Sequence, residues 1–265
     1  MTVRMFRGIQ AVECFHLQVA RLLLAGPDKG SFAIKGGCNL RFFFESPRYS
    51  EDIDIDVGER IPVHVLKDKV SGLLTGPALT LALRSHGIQV RGFSTPKQTE
   101  TTQRWKISLA VDGLAVPLPT KIEFSRRAPI EEAVLQVVSP GLLEEHQSMT
   151  FLAPHYPLGA AVRQKVQALA DRREVQARDV FDLGAVLLPR TGGKPDPHLT
   201  ARSDLEAAME RAMTLSHADY VSQVVSYLNA DHRDSLGSSE SWDAIQLKVV
   251  EYLDEALLRG RRPAR

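Results

Sequence analysis

The chain has 265 residues, 43% hydrophobic and 25% charged, with a formal net charge of +1 and two cysteines, Cys14 and Cys38. This suits one large domain or two small ones with a buried core; it excludes a global basic field and a disulfide framework. No apolar run approaches the roughly 18 residues needed to cross a bilayer. The histidines lack zinc-site spacing. The N-terminal stretch, with Arg4, Arg7, Glu13, His16 and Arg21, has no signal-peptide core, so a cytoplasmic protein without a membrane partner is expected.

Val12, Phe15, Val19, Leu22 and Leu23 recur at helical spacing and predict a helix over 6–25, stopped near Gly26-Pro27. Residues 31–35 read as a short strand, Gly36-Gly37 as a turn, and 38–44 as a short helix or a second extended piece. A loop over 45–50 leads to 51–57, where charged and apolar residues alternate with the period of a strand. A helix is expected over 62–75 and strands over 88–94, 104–112 and 120–125, with Trp105, Ile107 and Leu109 on one face. Pro140, Pro154 and Pro157 mark a lobe boundary. Beyond it lie helices at 159–171, 176–188, 202–214, 217–229 and 240–258, a loop at 190–199 and a basic tail after Gly260. No internal repeat is evident.

The chemistry-bearing residues concentrate in the first half. Asp52, Asp54 and Asp56 alternate along a predicted strand, so their side chains share one face at roughly 6.5–7 Å per step. Ile53, Ile55 and Val57 point the other way. Three carboxylates in a row repel one another, and nothing in the local pattern neutralises them. A divalent cation would remove that conflict and clamp a phosphoryl group in transfer. A solvated polar strand face is the plainer reading. Gly36-Gly37 after a short strand lets backbone N–H groups approach phosphates, with Lys35 beside it, although a Gly pair is also an ordinary turn. Glu123 shares a strand face with Lys121, opposite Ile122 and Phe124, and offers a further metal ligand or a general base. In the second half, Asp179 and Asp182 share a helix face and are suited to hold Lys165 or neighbouring basic residues.

Together, Lys35-Gly36-Gly37, Arg48-Tyr49-Ser50-Glu51-Asp52-Ile53-Asp54, Lys121-Ile122-Glu123, Lys165 and Arg178-Asp179-Val180-Phe181-Asp182-Leu183 resemble the motifs of the AbiEii/MenT nucleotidyltransferase toxins. That family belongs to the DNA polymerase β-like superfamily, and the resemblance spans about residues 30–190. The gap from Gly37 to Asp52 is longer than in the broader superfamily, which leaves Asp54 with Asp56 as an alternative working pair. The resemblance implies an α+β nucleotidyltransferase lobe over 1–140 and a helical lobe over 150–265. It implies Mg²⁺ or Mn²⁺ on Asp52, Asp54 and Glu123, and a nucleoside triphosphate contacted by Lys35, Gly36, Gly37, Ser50, Lys165, Asp179 and Asp182. It further implies transfer to the 3′ end of tRNA, and a separate antitoxin; in some members the antitoxin modifies a serine at the place of Ser50. Arg104, Lys106, Arg126, Arg127, Arg163, Arg172 and Arg173 are candidate RNA contacts, with Arg172 and Arg173 foremost. The alternatives are an acceptor hydroxyl on a small molecule or protein, and a non-catalytic binding module.

Overall fold

The computed structural model describes residues 8–126, 130, 132–192 and 201–259. Arg4, Arg7, Arg127, the end of the 190–199 loop and the basic tail lie outside them. The chain divides into two compact units: Met1–Phe43 with Tyr49–Tyr156, and Phe44–Arg48 with Pro157–Arg265. The expected α+β class holds.

The first unit is built on a seven-stranded mixed sheet of order β3-β4-β5-β2-β1-β7-β6. Its strands are β1 (Phe32–Lys35), β2 (Asp52–Val57), β3 (Ile88–Gln98), β4 (Thr102–Val111), β5 (Leu118–Ser125), β6 (Val134–Val137) and β7 (Leu152–His155). Its helices are α1 (Gly8–Leu23), α2 (Gly36–Phe43), α3 (Val63–Thr75), α4 (Pro77–Arg84) and α5 (Pro140–Glu145). Strand β2 runs antiparallel to β1 and parallel to β5, which places it mid-sheet. The period-two pattern sends Ile53, Ile55, Ile122, Phe124, Trp105, Ile107 and Leu109 into a core shared with the apolar stripe of α1 and with α3 and α4. Each large side chain buried there contributes about 1.5–3 kcal/mol.

Several details differ from expectation. Of the two forms expected over 38–44 the helix is found, through Phe43, but α2 starts at Gly36 itself, where a turn was expected. The proline-marked stretch 139–158 holds α5 and β7, because Pro140 occupies a first helical turn, where its missing N–H costs nothing. Helix α4 and edge strand β6 were not anticipated.

The second unit comprises α6 (Leu158–Asp171), α7 (Ala177–Phe181), α8 (Arg202–Met213), α9 (His217–Gln223), α10 (Ala230–Leu236) and α11 (Ser239–Arg259). The helix expected over 176–188 is α only as far as Phe181; Asp182–Leu187 winds as a wider π-type turn. Gly184 sits in that turn because a Cβ there would lie 2.7 Å from the Ile245 carbonyl oxygen of α11. The helix expected over 217–229 ends at Gln223, is followed by a 3₁₀ turn at Val225–Tyr227, and α10 is additional to the expected set.

Candidate active site

Register defines the site in the first unit. Asp52 stands opposite Lys121, Asp54 opposite Glu123 and Asp56 opposite Ser125, so the three aspartates and Glu123 lie on one sheet face. On the other side of β2, Lys35 stands opposite Asp54. Beyond β5, Arg104 is opposite Glu123 and Lys106 opposite Lys121.

Contrary to expectation, the row of carboxylates is largely neutralised by the protein. Lys121 Nζ lies 2.5 Å from Asp52 Oδ2. Lys35 Nζ lies 2.5 Å from Asp56 Oδ1, and the Tyr156 hydroxyl donates to Asp56 Oδ2 at 2.8 Å. Arg104 holds Glu123 at 2.6 Å. Asp56 is thereby buried and fully engaged, which weighs against an Asp54/Asp56 working pair.

Asp54 differs from its neighbours. It is half-buried, and among the described residues no cation or hydrogen-bond donor sits on its carboxylate. Burial pushes its pKa up; Asp52 and Glu123 push the same way, and Lys35 and Lys121 oppose them only through space. A carboxylate in that position favours a cation brought to it. Gly36 leaves the room: its φ of +63° is left-handed, and a Cβ on it would lie 3.0 Å from Asp54 Oδ2. With Asp52 and Glu123 beside Asp54, the donor set is the hard oxygen set that Mg²⁺ or Mn²⁺ prefers. The chemistry of these residues fits a divalent cation, but the three carboxylates do not converge as they stand: Asp52 is turned to Lys121 and Glu123 to Arg104, so only Asp54 is open to one.

Other groups support this corner from behind. The Ser50 hydroxyl donates to the Asp52 carbonyl at 2.8 Å. Cys38 Sγ donates to the same carbonyl at 3.3 Å. His16 meets Thr120 Oγ1 at 2.7 Å, and Thr120 donates to the Glu51 carbonyl at 2.7 Å. Burial lowers the His16 pKa to about 3, so this buried link is neutral. Both cysteines are free and buried; burial pushes the Cys14 thiol up to about 12 and raises Cys38, so neither is a nucleophile.

The grouping among the described residues whose three metal-capable side chains do converge is a different one: Glu13, Glu145 and His146. A guanidinium already fills it, because Arg41 Nε lies 2.6 Å from Glu13 Oε1 and His146 Nε2 lies 2.8 Å from Glu13 Oε2. Burial pushes Glu13 up, but His146 and Arg41 outweigh it and hold its pKa below the ordinary value. It is a buried structural ion cluster.

The second unit carries its own charged chain. Lys165 is buried, with Nζ 2.9 Å from Asp179 Oδ1 and 2.6 Å from Asp182 Oδ2. Arg48 forks onto Asp182 at 2.9 and 3.1 Å, and Arg172 Nε lies 2.9 Å from Asp179 Oδ2. The sequence Arg48–Asp182–Lys165–Asp179–Arg172 alternates in sign. Burial pushes the Asp182 pKa up, but Arg48 and Lys165 outweigh it and hold it at about 2. The π-type turn beginning at Asp182 is the local irregularity that accompanies this arrangement.

The basic candidates differ in their surroundings. Arg104 and Arg172, each partly exposed, pair with carboxylates, and Arg126 bonds the Ile61 carbonyl and Gln103. Lys106 and Arg173 are exposed, and Arg163 is half-buried. Sequence reasoning assigned no role to Tyr156 or to the Arg48 guanidinium. Arg48 lies within the noticed motif, whereas nothing local flags Tyr156.

The family described as nucleotidyl transferase AbiEii toxin, type IV toxin–antitoxin system, matches residues 19–258. Among solved structures, JHP933 from Helicobacter pylori superposes with a TM-score of 0.60 at 18% identity, covering 96% of this chain and 94% of that one. A candidate nucleotidyltransferase from H. pylori gives 0.59 at 18% identity, covering 95% of each chain. These likenesses show the fold. No curated protein matches. Among the described residues, no helix is long and apolar enough to cross a membrane.

Proposed function

We propose, from the premise that this chain belongs to the AbiEii nucleotidyl transferase toxin family, that it uses its acidic sheet face and a divalent cation to add nucleotides to the 3′ end of tRNA. Membership makes the chain a nucleotidyltransferase that consumes a nucleoside triphosphate, and a toxin of a type IV system with a cognate antitoxin. It also sets aside the non-catalytic binding-module reading.

The observation that carries the metal reading is Asp54: half-buried, raised in pKa and without a direct cation, on the face it shares with Asp52 and Glu123. In this reading Asp52, Asp54 and Glu123 hold Mg²⁺ or Mn²⁺. When bound there, such an ion would supply positive charge against the charge that develops on the transferring phosphoryl group. Gly36 and Gly37, at the start of α2, present backbone N–H groups to phosphate oxygens. Ser50 holds the Asp52 backbone in place through its carbonyl. Lys35, Lys165, Asp179 and Asp182 keep the nucleotide-related roles the family motifs give them, Lys165 with its position set by the two aspartates. The oxygen of the acceptor 3′-hydroxyl attacks the α-phosphorus as its proton passes to Glu123 or to water, the bond from that phosphorus to the bridging oxygen breaks, and pyrophosphate leaves. Positioning and fixed charge carry nearly all of this catalysis.

The test is incubation of the purified protein with total tRNA, Mg²⁺ and each labelled nucleoside triphosphate. Lengthening at the 3′ end is expected, and tRNA with a periodate-oxidised 3′ terminus should be inert. Replacing Arg173, exposed and basic, with Glu should weaken tRNA use more than nucleotide binding. Label that appears on protein or on a small hydroxyl compound, and never on RNA, would overturn the tRNA reading and leave the nucleotidyltransferase.

A further inference from the structure

Lys121 and Lys106 face each other across β5 and β4, and Lys121 also faces Asp52 across β5 and β2. Two ammonium groups directly opposite on one sheet face repel. The structure resolves this by turning Lys121 away, onto Asp52 Oδ2 at 2.5 Å. Lys106 stays exposed and, among the described residues, has no ion-pair partner. Beside them opens a groove of about 340 Å³ lined by Glu51, Asp52, Lys106, Thr120 and Lys121. One wall of this groove is therefore an ion pair that is more than one-third exposed on its lysine side, and the other is an unpaired lysine.

We propose that Lys121 is an exchangeable counterion. It occupies Asp52 while the acidic face is without metal. When Asp52 turns its carboxylate to a divalent cation, Lys121 is released and, with Lys106, forms a phosphate-binding subsite in the groove. The inference rests on the metal reading given above for Asp52, and it goes beyond it by assigning both lysines and the groove to an anion. Two ammonium groups brought opposite one another lose their mutual repulsion when a phosphate oxygen lies between them, and each adds a charge-assisted hydrogen bond. The cation and the phosphate then favour each other's binding, and by linkage the coupling is reciprocal. Such a device would keep the acidic row compact in the resting protein and recruit a basic pair only after the cation is in place.

The experiment measures Mn²⁺ binding without nucleotide, by the loss of the free Mn²⁺ paramagnetic resonance signal. Sulfate at constant ionic strength serves as the phosphate probe. Four full-length proteins are compared: wild type, Lys121→Gln, Lys106→Gln and Asp52→Asn. Removing the internal competitor should tighten Mn²⁺ binding of Lys121→Gln by about fivefold or more. Sulfate should tighten Mn²⁺ binding of wild type relative to both lysine variants; direct pairing of Mn²⁺ with sulfate is common to all four proteins and cancels. Unchanged or weaker Mn²⁺ binding by Lys121→Gln would overturn the exchange. An equal response to sulfate in wild type and Lys106→Gln would overturn the subsite. Both results leave the metal reading standing, whereas wild-type Mn²⁺ affinity in Asp52→Asn would remove that reading itself.

Discussion

Replacing Asp182 with Asn tests whether the buried charge chain of the second unit is a working scaffold. Asp182 is fully buried and accepts from both Arg48 and Lys165. Its carboxyl, which ordinarily titrates at 3.8, is held at about 2 because those two cations outweigh the cost of burial. That difference corresponds to about 2 kcal/mol of stability at neutral pH. The substitution also leaves Lys165 with Asp179 alone and Arg48 without its fork, and breaking a buried pair costs about 3–5 kcal/mol. We expect a loss of about 3 kcal/mol. The pH dependence has a definite sign: a depressed carboxyl stabilises above its unfolded pKa, so the wild-type advantage should be complete at neutral pH. It should decline as pH falls from about 4 through about 2. The two tryptophans allow a local readout, since Trp105 belongs to the first unit and buried Trp242 to the second. In a Trp105→Phe background, urea unfolding followed by Trp242 fluorescence reports the second unit. A midpoint shift equivalent to less than about 1 kcal/mol, at unchanged slope, would refute the claim that this chain of charges carries stability.

Asp54→Asn should abolish nucleotide transfer yet raise stability at neutral pH. A carboxyl with a raised folded pKa costs stability when charged, so the gain should vanish in acid below the ordinary carboxylate range; thermal denaturation across pH with a transfer assay checks both halves. Gly36→Ala places a Cβ 3.0 Å from Asp54 Oδ2 in a left-handed backbone that costs about 1–2 kcal/mol. Transfer should fall at least about tenfold in kcat/KM, about 1.4 kcal/mol, with the fold retained by circular dichroism. Phosphorylation of Ser50, or Ser50→Asp, adds negative charge beside Asp52 and removes a bond to its carbonyl. Nucleotide affinity by calorimetry should drop, whereas Ser50→Ala should retain most of it.

Much of the first unit is legible because its signals are local. The alternation in Asp52–Val57 and Lys121–Phe124 predicts both strands and assigns each side chain to a face, since a strand has period two. The helical stripe of residues 8–23 is equally direct. What escapes is short or non-local. Strand β6 is a four-residue edge, exposed throughout, so no alternation marks it. The turn at Asp182 widens inside an apolar helical pattern that continues unbroken across it. Helix α4 had a local signal in Gly76-Pro77, a chain break followed by proline at the first helical position.

The site divides along the same line. Sequence spacing places Asp52, Asp54 and Asp56 on one face and makes them equivalent, because each has the same neighbours and the same period. Their different environments come from partners remote in the chain. Asp56 is closed off by Lys35 across a strand pair and by Tyr156, 100 residues away. Asp52 is held by Lys121, 69 residues on, through a parallel pairing that no local signal can announce. Among the described residues no cation pairs with Asp54, and on its Gly36 side it meets backbone without a side chain. The two aspartates with partners differ in turn. Asp56 itself is buried, although Lys35 is 27% exposed, so removing its cation leaves a desolvated carboxylate, a change that costs several kcal/mol. The Asp52 pair is partly exposed, and exposed pairs contribute about 1 kcal/mol or less. In the proposed metal reading, an incoming cation therefore displaces Lys121 at smaller cost than Lys35, and this inequality favours Asp52 over Asp56 as the partner of Asp54.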